Sequence, residues 1–246
     1  MADMPDTEHP PEHHPEQDVR KSFDEQMTEL RSDVIRIAAM VGESIGAGTQ
    51  ALLDGDLDMV QEVLANDDAV DTFEHDIELR AYELFALQQP MAVDLRTLLA
   101  ILRILHELEL TGDLMVTTAK AARRMYPAEL PPRIRGLIER MGTQASRQLQ
   151  LAVDAFADSD QSLAAALPDM DDVMDDLQKE LFRAIFGTLT PDEAGLQLAV
   201  QLALIGRYYE RVADHAVGIG VWTRFIVTGE LPGREPPAAI VDATTN

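Results

Sequence analysis

Apolar side chains recur every three to four residues along most of the chain, and strand-like alternation is scarce. This spacing is that of one face of an α-helix, so the pattern predicts an all-α protein. Proline, glycine and short acidic runs interrupt the pattern and separate six helices. The predicted helices span residues 23–53, 57–87, 90–125, 134–157, 161–186 and 190–229.

The segment "TLTPDEA" carries a clear signal for a helix start. Thr190 is predicted to cap the sixth helix, with Pro191 in its first turn. Asp192 and Glu193 follow, and negative charge at that end of a helix interacts favourably with the helix dipole.

A unit of three helices occurs twice in the chain. Three residues recur after 101 positions and three others after 104, and the difference falls in the loop before a proline, where length changes are cheap. The pairs are Pro90 and Pro191, Glu109 and Glu210, Asp113 and Asp214, Asp54 and Asp158, Asp67 and Asp171, and Asp71 and Asp175. The repeat predicts two tandem, sequence-related three-helix bundles, at residues 21–127 and 128–230.

The two ends of the chain differ from the helical part. Residues 1–20 are rich in proline, histidine and acid and offer almost nothing to bury, so we predict a disordered tail. Residues 231–246 are predicted to form a second, flexible tail.

Two stretches, "LELTGDL" and "YERVADH", each place a glutamate and an aspartate four residues apart. On a helical wheel Glu109 shares its face with Leu98 and Leu105, so the acids interrupt an apolar stripe. A charged carboxylate facing a core costs several kcal/mol unless it is paired, protonated or bound to a metal. Arg103 and Arg207 are the candidates for simple ion pairing.

A second pair of acids lies on the preceding helix of each unit. Because these helices are expected to be neighbours, four carboxylates should converge in each unit and repel one another unless a cation lies between them. Oxygen ligands suit magnesium, manganese, calcium or iron, whereas a nitrogen from His106 or His215 would favour iron, zinc or nickel. The predicted metal ligands are Asp67, Asp71, Glu109 and Asp113 in the first unit and Asp171, Asp175, Glu210 and Asp214 in the second.

Composition narrows the class of protein further. The formal charge of −24 disfavours direct binding to nucleic acid and to anionic membranes. The chain has no cysteine, which excludes disulfides and thiolate metal sites. It also has no uncharged apolar run of 18 residues or more, so we expect a cytoplasmic protein that does not insert into a membrane.

The motifs resemble those of the PhoU family of phosphate-transport regulators. The segments "ELELTGDL" and "YYERVADHAVGIG" are similar to the repeated E-x-x-x-D motif of that family, "ALQQPMAVDLR" resembles its signature before the first motif helix, and "VTGELP" matches the ending after the second. The resemblance covers nearly all of the predicted helical region. It implies two similar three-helix bundles, with cations bound at multinuclear acidic clusters in some members.

The same resemblance implies a regulatory role without chemistry. A protein of this family would repress phosphate-starvation signalling by linking an ATP-driven phosphate importer to a membrane sensor histidine kinase. Asp67, Asp71, Glu109 and Asp113 would then form one metal cluster. The other four predicted ligands would form the second.

The chain departs from the family pattern at several motif positions. The motif glutamate is usually followed by arginine, and the motif aspartate is usually preceded by glycine. The first motif here has Leu110 and Gly112, and the second has Arg211 and Ala213.

Two other functions fit an acidic helical bundle. One is a structural or metal-storage protein that binds no transporter or kinase. The other is a carboxylate-bridged di-metal enzyme, which typically carries Glu-x-x-His on paired helices. The residues three positions before His75, His106 and His215 are not glutamates, so we expect a non-enzymatic protein.

We also expect a homodimer, although the sequence itself leaves the oligomeric state open.

Overall fold

The computed structural model describes residues 15–127, 129–190 and 192–231, and their side chains from residue 22 onward. Within these ranges all regular secondary structure is helical, which confirms the predicted all-α fold. The helices are α1 (Pro15–Asp54), α2 (Leu57–Gln88), α3 (Val93–Met125), α4 (Pro132–Asp158), α5 (Gln161–Thr188) and α6 (Glu193–Thr228).

The six helices form two related units that share one core. In the first unit α1, α2 and α3 pack on one another, and in the second α4, α5 and α6 do the same. The units meet through α1 against α4 and α3 against α6, so α2 and α5 are the outermost helices. The buried apolar side chains of both units form one continuous cluster, which makes the two bundles a single packed body.

Helices from different units run antiparallel where they meet. The Arg31 guanidinium in the first half of α1 donates to the Phe156 carbonyl oxygen near the end of α4, at 2.8 Å. The Arg96 Nε at the start of α3 likewise donates to the Ile226 carbonyl oxygen at the end of α6, at 3.2 Å. The hairpins α2–α3 and α5–α6 therefore turn at opposite ends of the molecule.

Equivalent aspartates begin the second helix of each unit. Asp56 Oδ1 accepts hydrogen bonds from the backbone amides of Asp58 and Met59 at the start of α2. Asp160 Oδ1 does the same for Ser162 and Leu163 at the start of α5. Such caps satisfy amide groups that have no partner within the helix. The duplicated unit has thus kept its helix boundary together with its acids.

Four predicted helix starts differ from the structure, and the smallest difference is in α4, which begins at Pro132, two residues before the predicted start. α1 begins at Pro15, so residues 15–20, predicted as part of the tail, are helical. The periodic apolar pattern starts only at Phe23, which is the first buried apolar side chain among those described. α3 begins at Val93, three residues after the predicted start. The α6 cap is Asp192 and not Thr190, because the carboxylate accepts from the Gly195 amide at 2.8 Å while the Thr190 hydroxyl donates to that carboxylate.

Other predictions fall outside the described residues. They concern residues 1–14 of the first tail, residues 232–246 of the second, and Pro191 in the α6 start. None of the described helices is both long enough and apolar enough to cross a membrane.

Candidate functional site

The first group of acids lies where α2 faces α3. Asp67 on α2 lies against Gly112 on α3, and a β-carbon added to Gly112 would be 3.1 Å from Asp67 Oδ1. The absence of a side chain at residue 112 therefore lets the Asp67 carboxylate approach the α3 backbone closely. Ala213 occupies the equivalent position of the second unit, so the two units differ in the side chain at this point.

The charges that act on the pKa of each carboxyl group show that the four acids of this first cluster lie close together. Burial, followed by the charges of Asp71 and Asp113, raises the pKa of Asp67 to about 6. Burial and then the Asp113 charge also raise the pKa values of Asp71 and Glu109. The structure thus brings together the residues predicted as the first site: Asp67, Asp71, Glu109 and Asp113.

Glu74 joins this cluster, although the predicted ligand set omits it. Burial raises its pKa first, and the charges of Glu78 and Glu109 raise it further. The signal in the sequence was the spacing of Asp67, Asp71, Glu74 and Glu78, which places all four on one stripe of α2. The first cluster is consequently larger than the second, since Gln178 and Phe182 stand at the positions equivalent to Glu74 and Glu78.

The second group of acids lies where α5 faces α6. Burial, followed by the Asp214 charge, raises the pKa of Asp171, while the Gln148 side chain opposes the rise. Burial and then the Asp214 charge raise the pKa of Glu210 as well, with a smaller contribution from Asp175. The predicted second site is therefore also assembled across two helices: Asp171, Asp175, Glu210 and Asp214.

Two buried carboxylate oxygens of the second cluster have no hydrogen-bond partner. They are Asp171 Oδ1 and Glu210 Oε2. Leaving such an acceptor buried and unsatisfied costs about 1–3 kcal/mol. The first cluster contains no such atom among the described residues. The buried amide Nε2 of Gln148, which acts on Asp171, also has no partner, so the second cluster is the one in which buried polar atoms are left unpaired.

Arginine pairing accounts for one acid and not for the others. Arg207 forms an ion pair with Glu210 Oε1, so this predicted pairing is confirmed. The proposed role of Arg103 is wrong, because its guanidinium lies over the Trp222 ring, 5.7 Å from the ring centre. A cation over an indole face is stabilised by the negative face of the ring, which explains the alternative placement.

The acids do not point into the core, contrary to the interpretation from the helical wheel. Asp113 is exposed and Glu109 is half-buried, whereas Leu98 and Leu105 are buried. The physical reason is that the acids lie at the edge of the apolar stripe, where the packing of α2 leaves them partly exposed. Water therefore reaches part of each cluster, which lowers the cost of the charges.

The two histidines considered as ligands lie in different surroundings. His106 Nδ1 is 3.4 Å from Glu109 Oε2, next to the first cluster. His215 Nδ1 is 2.6 Å from Glu107 Oε2, on the boundary between α3 and α6. Glu107 belongs to neither cluster, and the sequence pattern gave no sign of this contact. Gly218 leaves the space for it, since a β-carbon there would lie 2.9 Å from the Glu107 carboxyl group.

The donor chemistry of the clusters suits hard cations, but their geometry is open. Carboxylate oxygens are the ligands that magnesium, manganese, calcium and iron prefer. The unsatisfied oxygens of Asp171 and Glu210 are atoms that a cation would satisfy. Within the described residues, however, no three histidine, aspartate or glutamate side chains are arranged to hold one ion together. The acids fit a cation by type and charge, with the second cluster fitting better.

Comparison with known proteins supports the repeat and the fold. A family model described as the PhoU domain matches the chain twice, at residues 34–122 and 138–223. The PhoU homolog 1 of Mycobacterium tuberculosis, named a phosphate-specific transport system accessory protein, is 33% identical over 215 residues, or 87% of this chain and 96% of that protein. The Caulobacter vibrioides homolog of the same description is 31% identical over 210 residues, or 85% and 91%.

Solved structures give the same result. The crystal structure of PhoU from Pseudomonas aeruginosa superposes with a TM-score of 0.79 at 26% identity, covering 85% of this chain and 100% of that one. The phosphate transport system regulatory protein PhoU from Streptococcus pneumoniae gives a TM-score of 0.77 at 27% identity, covering 85% and 98%. The resemblance drawn from the sequence motifs is confirmed, and the chain belongs to the PhoU family.

Proposed function

We propose that this chain is a negative regulator of phosphate uptake and phosphate-starvation signalling. It would act in the cytoplasm as a non-enzymatic adaptor between an ATP-driven phosphate importer and a membrane sensor histidine kinase. The observation that carries the proposal is the match to the family model in both halves of the chain, together with relatives that are named accessory proteins of phosphate-specific transport.

Physical features of the chain are compatible with an adaptor. The net charge of −24 steers association toward partners with basic docking surfaces. The two units share one core and place their acidic clusters between different helix pairs, α2–α3 and α5–α6, which gives the molecule two separate acidic surfaces for contacts. No glutamate precedes a histidine by three residues in the described helices, so the ligand pattern of di-metal oxidases is missing there.

Metal ions form part of the proposal. Asp171, Asp175, Glu210 and Asp214 would hold a cation in the second unit, and Asp67, Asp71, Glu109 and Asp113 would do so in the first. A bound cation would supply positive charge that neutralises the converging carboxylates. Without a cation the carboxylates on the facing helices repel one another.

A complementation experiment tests the regulatory role. The chain is expressed in a bacterium whose own PhoU gene is deleted, and phosphate uptake and a phosphate-starvation reporter are measured in high phosphate. We expect both to fall to the level of the parent strain. Purified importer ATPase and the cytoplasmic part of the sensor kinase should each bind the chain directly. Unchanged uptake and reporter activity at normal expression would contradict the proposal.

A structural or metal-storage protein is the second candidate. The unsatisfied Asp171 and Glu210 oxygens favour it, since they provide a reason to bind metal without any partner. This candidate predicts stoichiometric metal, no binding to the ATPase or the kinase, and no change in the starvation reporter. The two functions therefore differ in the partner-binding result and not in the metal content.

A further inference from the structure

The outer face of the α2–α3 hairpin joins acidic and exposed apolar side chains in one line. On α2, Tyr82 lies four residues beyond Glu78 and so continues the stripe of acids. On α3, Leu95 and Leu99 lie on the stripe that leads to Glu109. Tyr82 is 51% exposed and Leu99 is 41% exposed, which are large values for apolar side chains of this size. We call this surface, from Glu74 to Tyr82 and from Leu95 to Glu109, the α2–α3 face.

The packing of the two helices places these apolar side chains together. Asp67 lies against Gly112, and the helices run antiparallel. Tyr82 is fifteen residues beyond Asp67 on α2, which brings it level with Thr97 on α3. Thr97 itself is buried, and Leu95 and Leu99 flank it on the outside. Tyr82, Leu95 and Leu99 therefore form one exposed apolar patch at the hairpin end of the α2–α3 face.

Equivalent residues are exposed in the second unit. Phe186 on α5 corresponds to Tyr82, and Leu196 and Val200 on α6 correspond to Leu95 and Leu99. Phe186 is 85% exposed, and Leu196 and Val200 are also exposed. Scattered apolar side chains on a surface need no explanation, but here the same three positions are exposed in both repeats. Contiguous exposed patches of this kind mark interaction sites.

Charge distinguishes the two patches. The Glu78 carboxylate accepts a hydrogen bond from the Tyr82 hydroxyl at 3.5 Å, and Glu74 lies one turn further along α2. The Glu78 charge, more than burial, raises the pKa of the Tyr82 hydroxyl, so negative potential reaches the patch. In the second unit Gln178 and Phe182 replace these two glutamates, and its patch lacks the adjoining charge.

We propose that the α2–α3 face binds a helical segment of a partner protein that carries apolar side chains followed by lysine or arginine. The apolar side chains of this segment pack on Tyr82, Leu95 and Leu99, and its basic residues face Glu74 and Glu78. Glu74 lies eight residues from Tyr82, or about 12 Å along a helix, so the basic residues lie about two turns from the apolar anchors. Apolar anchors on one helical face are the usual way in which an amphipathic helix binds a groove, and the opposite charges speed encounter and select the orientation.

This inference deepens the proposed function, on which it rests, by giving the chemistry of a partner. The probe is a synthetic amphipathic peptide of about 18 residues, five helical turns, with leucines at positions i, i+3 and i+7 and lysines two turns further on. The comparison peptide has the same composition in an order that forms no apolar face. Binding to the full chain is measured by fluorescence anisotropy at low and high salt.

Paired variants make the test specific. Tyr82→Ser with Leu99→Ser removes the patch of the first unit, and Phe186→Ser with Val200→Ser removes the equivalent patch of the second. All four side chains are exposed, so the fold should survive in both variants. We expect the first variant to weaken peptide binding at least about tenfold and the second to change it less than about twofold, since buried apolar anchors dominate such interfaces. Glu74→Gln with Glu78→Gln should weaken binding and reduce its salt dependence.

Five results would overturn the proposal. Equal binding of the two peptides, or no binding of either, would show that the face does not recognise an amphipathic helix. Equal weakening by both variant pairs would place the site elsewhere. Loss of self-association in the Tyr82→Ser, Leu99→Ser variant would assign the face to a second copy of this chain, and loss of binding to zwitterionic vesicles would assign it to a membrane. Peptide binding uses purified protein, so the adaptor role can fail in cells while this result stands.

Discussion

The Tyr209 hydroxyl lies 2.7 Å from the Thr49 hydroxyl oxygen and links α6 of the second unit to α1 of the first. Thr49 donates its own proton to the Ile45 carbonyl at 2.6 Å, so Tyr209 is the donor of the link between them. Tyr209 is fully buried, and this burial raises its pKa well above the ordinary range, which keeps the hydroxyl neutral. One hydrogen bond thus ties the two repeats at the centre of the shared core.

Removing the Tyr209 hydroxyl should weaken the contact between the units. Tyr209→Phe leaves the ring in place and leaves no donor unpaired, because Thr49 still donates to Ile45. We therefore expect a loss of about 0.5–1.5 kcal/mol in the free energy of unfolding, measured by urea denaturation. Tyr126→Phe is the control, since Tyr126 is 61% exposed and should be neutral. Equal effects of the two substitutions would argue against a central role for the hydrogen bond.

A second prediction concerns the close approach of α1 and α4. A β-carbon at Gly142 would lie 2.5 Å from the Thr49 hydroxyl oxygen, so Gly142→Ala should destabilise the protein by about 1–3 kcal/mol. Gly136→Ala on the same helix meets nothing within 4 Å and should stabilise it by about 0.5–1 kcal/mol through helix propensity.

Thr49→Ala provides the control for this contact. It removes the two nearest atoms that an alanine at residue 142 would meet, the hydroxyl oxygen and the methyl carbon, so in the double variant the cost of Gly142→Ala should be smaller than in the wild-type background. The measurement is a double-mutant cycle in urea. An additive result would mean that the cost of the substitution arises elsewhere.

The pH dependence of stability should reveal the first acidic cluster. The pKa of Asp67 is about 6 in the folded chain, against the ordinary aspartate value of 3.8 in the unfolded chain. Between these two pH values the folded state therefore holds more protons than the unfolded state. Stability contributed by this group is therefore present below about pH 4 and is lost as the pH rises through 6. In metal-free protein we expect the free energy of unfolding to rise as the pH is lowered from about 7 to about 5.

Asp67→Asn should remove much of this dependence. The amide carries no charge, so the variant should be more stable than the wild type at pH 7, by about 1 kcal/mol after allowance for solvent screening of a half-exposed group. Urea unfolding at several pH values measures it. Glu43→Gln, at an exposed position of α1, is the control and should leave the pH profile unchanged. A wild-type profile that is flat from pH 5 to 7 would contradict the prediction.

Metal binding should depend on the second cluster. Protein purified without chelator and dialysed against Mn²⁺, Fe²⁺, Zn²⁺ or Mg²⁺ should retain metal by elemental analysis. At a hundredfold excess over the dissociation constant, the bound ion should stabilise the fold by about 2.7 kcal/mol. Asp171→Asn with Glu210→Gln should abolish both effects at this site, because it removes the two unsatisfied oxygens.

An exposed acid on the same helix serves as the control for the metal experiment. Asp172 is solvent-exposed on α5, so Asp172→Asn should leave the metal content and the thermal midpoint nearly unchanged. Wild-type protein that retains none of these ions would contradict the proposal that the clusters bind metal. The acids would then serve partner docking or be satisfied by protonation and by Arg207.

Some of this protein follows from the sequence alone. The 3.6-residue period predicts the helices, because burial on one face imposes that period on every packed helix. The offsets of 101 and 104 reveal the duplication, since repeated acids and prolines can be aligned without any coordinates. The facing acid pairs follow from the same alignment, because consecutive antiparallel helices joined by a short loop must lie side by side.

Only the tertiary structure decided the contacts between elements distant in the chain. The Thr49–Tyr209 hydrogen bond and the Glu107–His215 contact each join helices of different units, and their register depends on packing that no local pattern encodes. The wheel placed Glu109 on the apolar face, but the packing of α2 left it half-buried at the edge of that face. Periodicity is a property of one helix, whereas the burial of each acid depends on the side chains that a second helix brings against it.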